Sequence, residues 1–205
     1  MAETQSFRLP ATVSPRHYQV ELVPDLAQSG FEGAVNISLD VLDPTAELVL
    51  NAADLDLHDA TVTTPDGDAI TGRIVLNPAE QQATISLPQA IPAVPGYQLR
   101  LEFSGVLNEQ LQGLYRSTYR DHNGVERVIA TTQFEPTDAR RAFPCWDEPA
   151  FKATFAVSLV IDREVTALSN TPLLSTEDLG DGRRRVTFEE TMTMSTYLVA
   201  VVVGP

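Results

Sequence analysis

The sequence predicts an all-β domain built from antiparallel or mixed sheets that form a sandwich or a saddle, with at most one or two short helical turns. Three observations predict this class. Apolar and polar residues alternate over much of the chain, as in strands that bury one face. Turn sequences rich in Pro, Gly and Asp separate these stretches at short intervals. Helical periodicity, with apolar residues three and four positions apart, is nearly absent.

The alternation is clearest in the first two predicted strands. Tyr18, Val20 and Leu22 face one side of the first, and the second, 31–41, is apolar at nearly every second position before an Asp-Pro turn. The same pattern predicts strands at 48–50, 57–63, 69–76, 83–87, 97–103, 114–119, 125–132, 154–161, 165–168, 184–190 and 196–203. The last strand is apolar on both faces from residue 198, which predicts cover on both sides and a chain that continues.

Two segments, 106–112 and 137–143, can form a short helical turn. In the second, Asp138 and the threonine before it can cap the turn. Pro136 has no backbone N–H and favours extended geometry in the residue before it, so the strand that approaches it must stop there. Glu135 is therefore expected at a strand end.

Composition and charge narrow the classes of function. The chain has 205 residues, 43% of them hydrophobic, and we expect one domain over 1–205 with a core that needs neither metal nor disulfide. The net charge of −14 argues against nucleic acid and anionic membranes as partners, because both attract basic surfaces. No secretory leader or long apolar segment is visible, so a cytoplasmic location is expected.

Residues 131–155, TTQFEPTDARRAFPCWDEPAFKATF, form the most specific stretch, which we call the signature segment. QFEP, DARR and FPCWDEPAFK follow one another in it and resemble zinc aminopeptidases of the aminopeptidase N and puromycin-sensitive type. GLYRS at 113–117, SNTP at 169–172 and MSTYLVA at 194–200 resemble further segments of that family's N-terminal domain, in the same order. The likeness therefore spans nearly the whole chain.

The resemblance implies that the chain is the N-terminal domain of a larger aminopeptidase that removes N-terminal residues from peptides. In that family, a Glu of this domain accepts the free α-amino group of the substrate, and a Gln two residues before it lines the first side-chain pocket. The matching residues are Glu135 and Gln133. A carboxylate held at a strand end by a following proline is a suitable acceptor for a protonated amine.

The resemblance also implies zinc as the cofactor of the parent enzyme. Such a site needs two His four residues apart with a Glu between them, and a distant Glu as third ligand. The chain contains no HExxH, no Gly-x-Met-Glu-Asn loop and only three histidines, His17, His58 and His122. We therefore expect no metal on this chain, and we expect a following catalytic domain to hold the zinc and to be a partner alongside peptide substrates.

Other residues of the signature segment have competing interpretations. Asp147 and Glu148 suggest a glycosidase pair, but adjacent residues of an extended chain point apart, so ion pairs with Arg140, Arg141 or Lys152 are the expected role. The remaining candidates are expected to have structural roles and no catalytic or binding role. Cys145 is expected to be a buried structural residue, the rings of Phe143 and Trp146 are expected to lie in the core, and His122 is expected to be solvated in a loop.

Three classes of function remain after these arguments. The first is the substrate-anchoring domain of a zinc aminopeptidase, to which we assign the chain. The second is a noncatalytic scaffold or a free-standing β-sandwich that binds protein or carbohydrate, for which a polar terminal strand and exposed aromatic rings on one face would be expected. The third is a carboxylate enzyme such as a glycoside hydrolase.

Overall fold

Fifteen strands in three sheets make up most of residues 8–205, the part of the chain that the computed structural model describes. Two 3-10 turns, Ala139–Arg141 and Thr196–Leu198, are the helical elements in this part, so the predicted all-β class is confirmed. None of its helical elements has the length and apolar character needed to span a membrane. The strands are β1 Val13–Asp25, β2 Gly30–Val41, β3 Thr45–Asn51, β4 Leu55–Thr63, β5 Ala69–Thr71, β6 Arg73–Asn77, β7 Gln82–Ile91, β8 Tyr97–Val106, β9 Gly113–Arg120, β10 Glu126–Gln133, β11 Thr154–Asp162, β12 Thr166–Ser169, β13 Leu173–Asp178, β14 Arg183–Phe188 and β15 Val201–Gly204.

The largest sheet has eight strands in the order β13-β14-β11-β1-β2-β8-β4-β5. Its neighbouring strands are antiparallel, except that β1 and β11 run parallel with Tyr18 opposite Phe155. Tyr18, Val20 and Leu22 are buried on one face of β1, as the alternation predicted, and Gln19 between them is exposed. The buried face forms a large part of the core.

Two smaller antiparallel sheets complete the fold. Their orders are β12-β15-β10-β9 and β3-β7-β6, and buried apolar side chains from all three sheets belong to one core cluster. β10 lies inside the four-stranded sheet, with β9 on one side and β15 on the other. The strand that leads into the signature segment is therefore held along both edges.

Several predicted strand boundaries were wrong. The stretch 69–76 divides at Gly72, where the chain passes from the eight-stranded to the three-stranded sheet. A Cβ atom at Gly72 would lie 2.3 Å from Cγ2 of Ile85, so the close approach of the two sheets favours glycine there. The strand β13 was not predicted, because all six of its residues are exposed and its sequence shows no alternation.

The helical turn predicted at 106–112 is also wrong. This segment is an irregular loop in which Asn108 donates from Nδ2 to the Gln112 carbonyl and accepts the Gln110 N–H, each at 2.8 Å. Asn side chains commonly compete in this way with backbone hydrogen bonds. The second 3-10 turn instead occupies the start of the predicted strand 196–203, and Val202 of β15 remains 37% exposed.

Candidate functional site

The chain turns sharply at residues 134–138, immediately after β10, and we call this segment the Glu135 turn. Pro136 has no N–H for a continuing ladder, and the Glu135–Pro136 peptide bond is cis. The buried Phe134 ring meets the Phe143 ring edge-on, with 6.0 Å between their centroids. The Asp138 N–H donates to the Phe134 carbonyl at 2.8 Å. The predicted position of Glu135 at a strand end is confirmed.

Gln133 and Glu135 are both exposed at this turn. Gln133 lies opposite Gly113 of β9, and its Nε2 donates to the Glu135 backbone carbonyl at 3.2 Å. The Glu135 carboxylate makes no hydrogen bond or ion pair with any of residues 8–205. The turn therefore presents a carboxylate to solvent on a well-supported backbone.

The first 3-10 turn packs directly against the start of β9. Gly113 has a φ of +66°, and a Cβ atom there would lie 2.6 Å from the Arg141 Cβ. Arg141 donates from Nε to Asp138 Oδ1 at 2.8 Å and also pairs with Asp54. The predicted helix cap from the Asp138 carboxylate is wrong, because that group is bound to Arg141 and makes no capping hydrogen bond.

Asp147 lies at the centre of a buried polar network. Its Oδ2 accepts from Arg140 Nε at 3.0 Å and from the Arg140 backbone N–H at 3.3 Å. Its Oδ1 accepts from Thr196 Oγ1 at 2.5 Å, and its own N–H donates to Asn51 Oδ1 at 3.1 Å. The side chains of Asp147 and Arg140 are 1% and 12% exposed, so this is a desolvated ion pair. The predicted ion pair of Asp147 with a cation of the signature segment is confirmed, and of the three candidate cations the partner is Arg140.

Glu148 has partners that were not predicted. Its Oε1 accepts the Leu9 N–H at 2.6 Å, and its Oε2 faces Arg8 at 3.3 Å. Lys152 instead donates from Nζ to Ser195 Oγ at 3.0 Å. The expected pairing of Glu148 with a cation of the signature segment is therefore wrong, because its carboxylate binds residues that precede β1. The two adjacent carboxylates have separate partners, which does not suit a glycosidase pair.

The aromatic rings of the signature segment belong to the core, as predicted. Trp146 and Phe143 are 0% and 1% exposed. The Trp146 backbone N–H donates to the Tyr18 hydroxyl at 3.2 Å, and the Tyr18 ring stacks on Phe155 with 4.9 Å between centroids. The first contact joins the segment to β1, and the second joins β1 to Phe155 of β11 at the end of the segment.

Cys145, the residue before Trp146, is fully buried and its thiol is free. Burial raises the pKa of its thiol well above the usual value, the Asp147 charge raises it further, and Arg140 opposes both. The thiol stays protonated near neutral pH, so it lacks the thiolate that a nucleophile needs. The predicted structural role of Cys145 is confirmed.

The segments 169–172 and 194–200, which resemble the same family, meet near the signature segment. Asn170 Nδ2 donates to the Leu198 carbonyl, and Asn170 Oδ1 accepts the Ala200 N–H, both at 2.8 Å. Ser195 Oγ lies 3.3 Å from the Pro149 carbonyl oxygen. The role of Thr196 as a partner of Asp147 was not predicted, although its place in a family-like segment was the available signal.

Residues 8–205 do not provide a zinc site. No group of three or more His, Cys, Asp or Glu side chains in this range is arranged to hold a metal ion. The ring nitrogens of His17 and His58 bond to the hydroxyls of Thr154 and Ser104. His122 is exposed at the β9–β10 hairpin tip beside Asn123, as expected for a loop residue. The histidines are thus separate from one another and do not fit zinc coordination.

Comparison with known proteins agrees with the likeness seen in these motifs. The Peptidase M1 N-terminal domain family matches residues 14–198. The chain is 44% identical over 201 residues to aminopeptidase M1 of Arabidopsis thaliana, and 41% identical over 199 residues to puromycin-sensitive aminopeptidase of Caenorhabditis elegans. Each alignment covers 96% of this chain but only 22% and 21% of the respective relative, so the chain spans about a fifth of their length. The chain therefore belongs to the family of the peptidase M1 N-terminal domain.

Proposed function

We propose that this chain serves a zinc-dependent aminopeptidase as its substrate-anchoring N-terminal domain. In this proposal, Glu135 binds the α-amino group of a peptide substrate and Gln133 lines the pocket for the first side chain. The observation that carries the proposal is the state of the Glu135 carboxylate, which is exposed and without a partner in residues 8–205.

The other acidic residues of the same segment all have partners within the chain. Between residues 135 and 148 the chain has four carboxylates, and three of them bind cations or N–H groups. Asp138 binds Arg141, Asp147 binds Arg140, and Glu148 binds the Leu9 N–H. Glu135 is thus the one acidic side chain of the segment that is left to bind a ligand.

The geometry suits recognition of a protonated amine. The Glu135 turn is fixed by the buried Phe134 ring and by the Asp138 hydrogen bond, so little backbone freedom is lost when a ligand binds. A carboxylate that pairs with an ammonium group forms a charge-assisted hydrogen bond, which is stronger than a neutral one. An exopeptidase needs such a contact to select chain ends over internal peptide bonds.

Gln133 supports the second part of the proposal by its position. Its side chain is exposed next to Glu135, and its amide can donate and accept hydrogen bonds. A substrate whose amine lies against Glu135 would bring its first side chain near this amide.

We propose that zinc is the cofactor of the full-length enzyme and that residues outside this chain hold it, in a catalytic domain that is the partner of this one.

Glu135→Gln in the full-length enzyme tests the proposal. The substitution keeps the size of the side chain and removes its charge, so one charge-assisted contact worth about 1.5 to 3 kcal/mol is lost. We expect kcat/KM for aminoacyl amide substrates to fall about ten- to a hundredfold. Zinc content, measured by metal analysis after dialysis, should not change.

Gln133→Ala tests the second part of the proposal, and Glu148→Gln is the matched control. Gln133→Ala should change the ratio of kcat/KM between substrates that differ in their first side chain, while the dependence on a free amine remains. Glu148→Gln removes a carboxylate whose partners are Leu9 and Arg8, and it should leave kcat/KM within about threefold of the wild-type value. Full activity of the Glu135→Gln enzyme would refute the proposed role, and an unchanged selectivity ratio would refute the role of Gln133.

A further inference from the structure

We propose that Asp147 is a positioning residue for Glu135, because its carboxylate connects the chain on both sides of the Glu135 turn. The inference rests on the proposed function of Glu135. It concerns how the amine-binding carboxylate is held in place, and Asp147 itself contacts no substrate in this proposal.

The Glu135 side chain has no partner in residues 8–205 that could fix it, so its position depends on the backbone of residues 134–138. This backbone has two ends. At the first end, β10 pairs with β15 through Ala130 and Thr131. At the second end, the first 3-10 turn begins at Ala139, and the next residue is Arg140.

Asp147 holds the second end through Oδ2. That oxygen accepts from both the Nε and the backbone N–H of Arg140, at 3.0 and 3.3 Å. The Arg140 guanidinium also donates to the Asp147 carbonyl at 3.2 Å and to Gln81 Oε1 at 3.2 Å. A backbone N–H bound by the carboxylate fixes the main chain of the turn directly, which an ion pair at the side-chain tip would not do.

Asp147 reaches the first end through Oδ1. The 2.5 Å hydrogen bond from Thr196 attaches it to the second 3-10 turn, which leads into β15. β15 in turn pairs with β10, and Thr132 Oγ1 accepts the Val201 N–H at 3.0 Å. The contacts thus form a closed circuit from β10 through the Glu135 turn, Arg140, Asp147, Thr196 and β15 back to β10.

Burial gives this circuit stiffness. Asp147 is 1% exposed, and both of its oxygens accept hydrogen bonds, so its side chain has little freedom to move. A buried ion pair of this kind is often no more stabilising than apolar side chains of the same volume. Exact placement of the Glu135 turn gives the pair a role beyond stability, because small displacements of a binding group reduce catalysis.

A double-mutant cycle in the full-length enzyme tests this role. Asp147→Asn keeps the shape of the side chain and removes the charge that holds Arg140. We expect it to lower kcat/KM for aminoacyl amides by about threefold to a hundredfold in the wild-type background. In the Glu135→Gln background the same substitution should cost less than about twofold, because the group that it positions no longer binds the amine. Thermal unfolding should confirm that each variant is folded at the assay temperature.

Thr196→Val keeps the test decisive if Asp147→Asn fails to fold. It removes the 2.5 Å hydrogen bond and leaves the ion pair with Arg140 intact, and it should show the same coupling to Glu135→Gln with a smaller effect. Glu148→Gln is the control, because the Glu148 carboxylate binds Leu9 and Arg8 and makes no bond to either 3-10 turn. Its effect on kcat/KM should be the same in the wild-type and Glu135→Gln backgrounds.

The outcomes separate the two proposals. If Asp147→Asn lowers kcat/KM by the same factor in the wild-type and Glu135→Gln backgrounds, the positioning role is overturned and the proposed function of Glu135 is unaffected. No loss from Glu135→Gln would overturn the proposed function itself, and the positioning role with it.

Discussion

On the proposed function, the full-length enzyme with Glu135→Lys should lose about a thousandfold or more of its kcat/KM for aminoacyl amides. The substitution removes a charge-assisted contact worth about 1.5 to 3 kcal/mol, and it also places an ammonium group against the substrate amine. Like charges at such an interface cost several kcal/mol. A total of about 4 kcal/mol or more corresponds to this loss in rate. The order of activities should be wild type, then Glu135→Gln, then Glu135→Lys.

Thr137→Lys is the matched control for this charge reversal. Thr137 is exposed in the same turn, two residues after Glu135, so the variant carries an added positive charge at nearly the same place. It should stay within about tenfold of wild type, because exposed charges that are not in contact are screened by water and salt. Equal losses from Glu135→Lys and Thr137→Lys would mean that the overall charge of the turn matters and that no specific amine contact exists.

The 205-residue chain should lose about 3 to 5 kcal/mol of unfolding free energy on Asp147→Ala. The substitution leaves the Arg140 guanidinium, 12% exposed, without its carboxylate. It also removes the acceptors of the Arg140 N–H and of the Thr196 hydroxyl. An unpaired buried charge and two unsatisfied donors are among the few causes of large single-residue effects. Urea or thermal denaturation followed by circular dichroism measures the loss.

Glu102→Ala provides the comparison for a surface pair. Arg100 and Glu102 are 48% and 46% exposed, and exposed pairs of this kind contribute about 0 to 1 kcal/mol. A loss below about 1 kcal/mol from Asp147→Ala would show that the buried network carries no more free energy than a surface pair. The closed circuit around the Glu135 turn would then be too weak to position it.

Much of the fold could be predicted from local sequence patterns. β1 and β2 bury one face and leave the other only partly buried, so the alternation of residue types indicates which face each side chain lies on. The end of β10 could be predicted as well, because Pro136 acts on its immediate neighbours. These features depend on residues a few positions apart, which a single sequence displays directly.

The wrong predictions share a different cause. β13 is an exposed edge strand held by pairing with β14, and nothing in its own six residues requires it to be extended. The loop at 106–112 depends on the Asn108 side chain, and the final strand is shortened by a 3-10 turn that Asn170 helps to hold from about thirty residues away. Tertiary contacts override local preference in these places.

The candidate site shows the same division. The family-like residues Gln133 and Glu135 could be selected from the sequence. A cation partner for Asp147 could be predicted as well, although the choice of Arg140 over Arg141 and Lys152 could not. The contact from Thr196, 49 residues from Asp147, could not be derived, because no periodicity links positions that far apart. The lack of a partner for the Glu135 carboxylate among residues 8–205 likewise could not be predicted, because it depends on which side chains the fold brings near the turn.

Inhibitor discrimination tests whether Glu135 recognises the substrate amine. Inhibition constants should be measured for a competitive peptide inhibitor with a free α-amino group and for its N-acetylated form, with the wild-type and Glu135→Gln full-length enzymes. We expect the wild-type enzyme to prefer the free amine by about ten- to a hundredfold or more, and we expect this preference to shrink by a similar factor in Glu135→Gln with zinc content unchanged. An undiminished preference in Glu135→Gln would mean that Glu135 does not bind the amine.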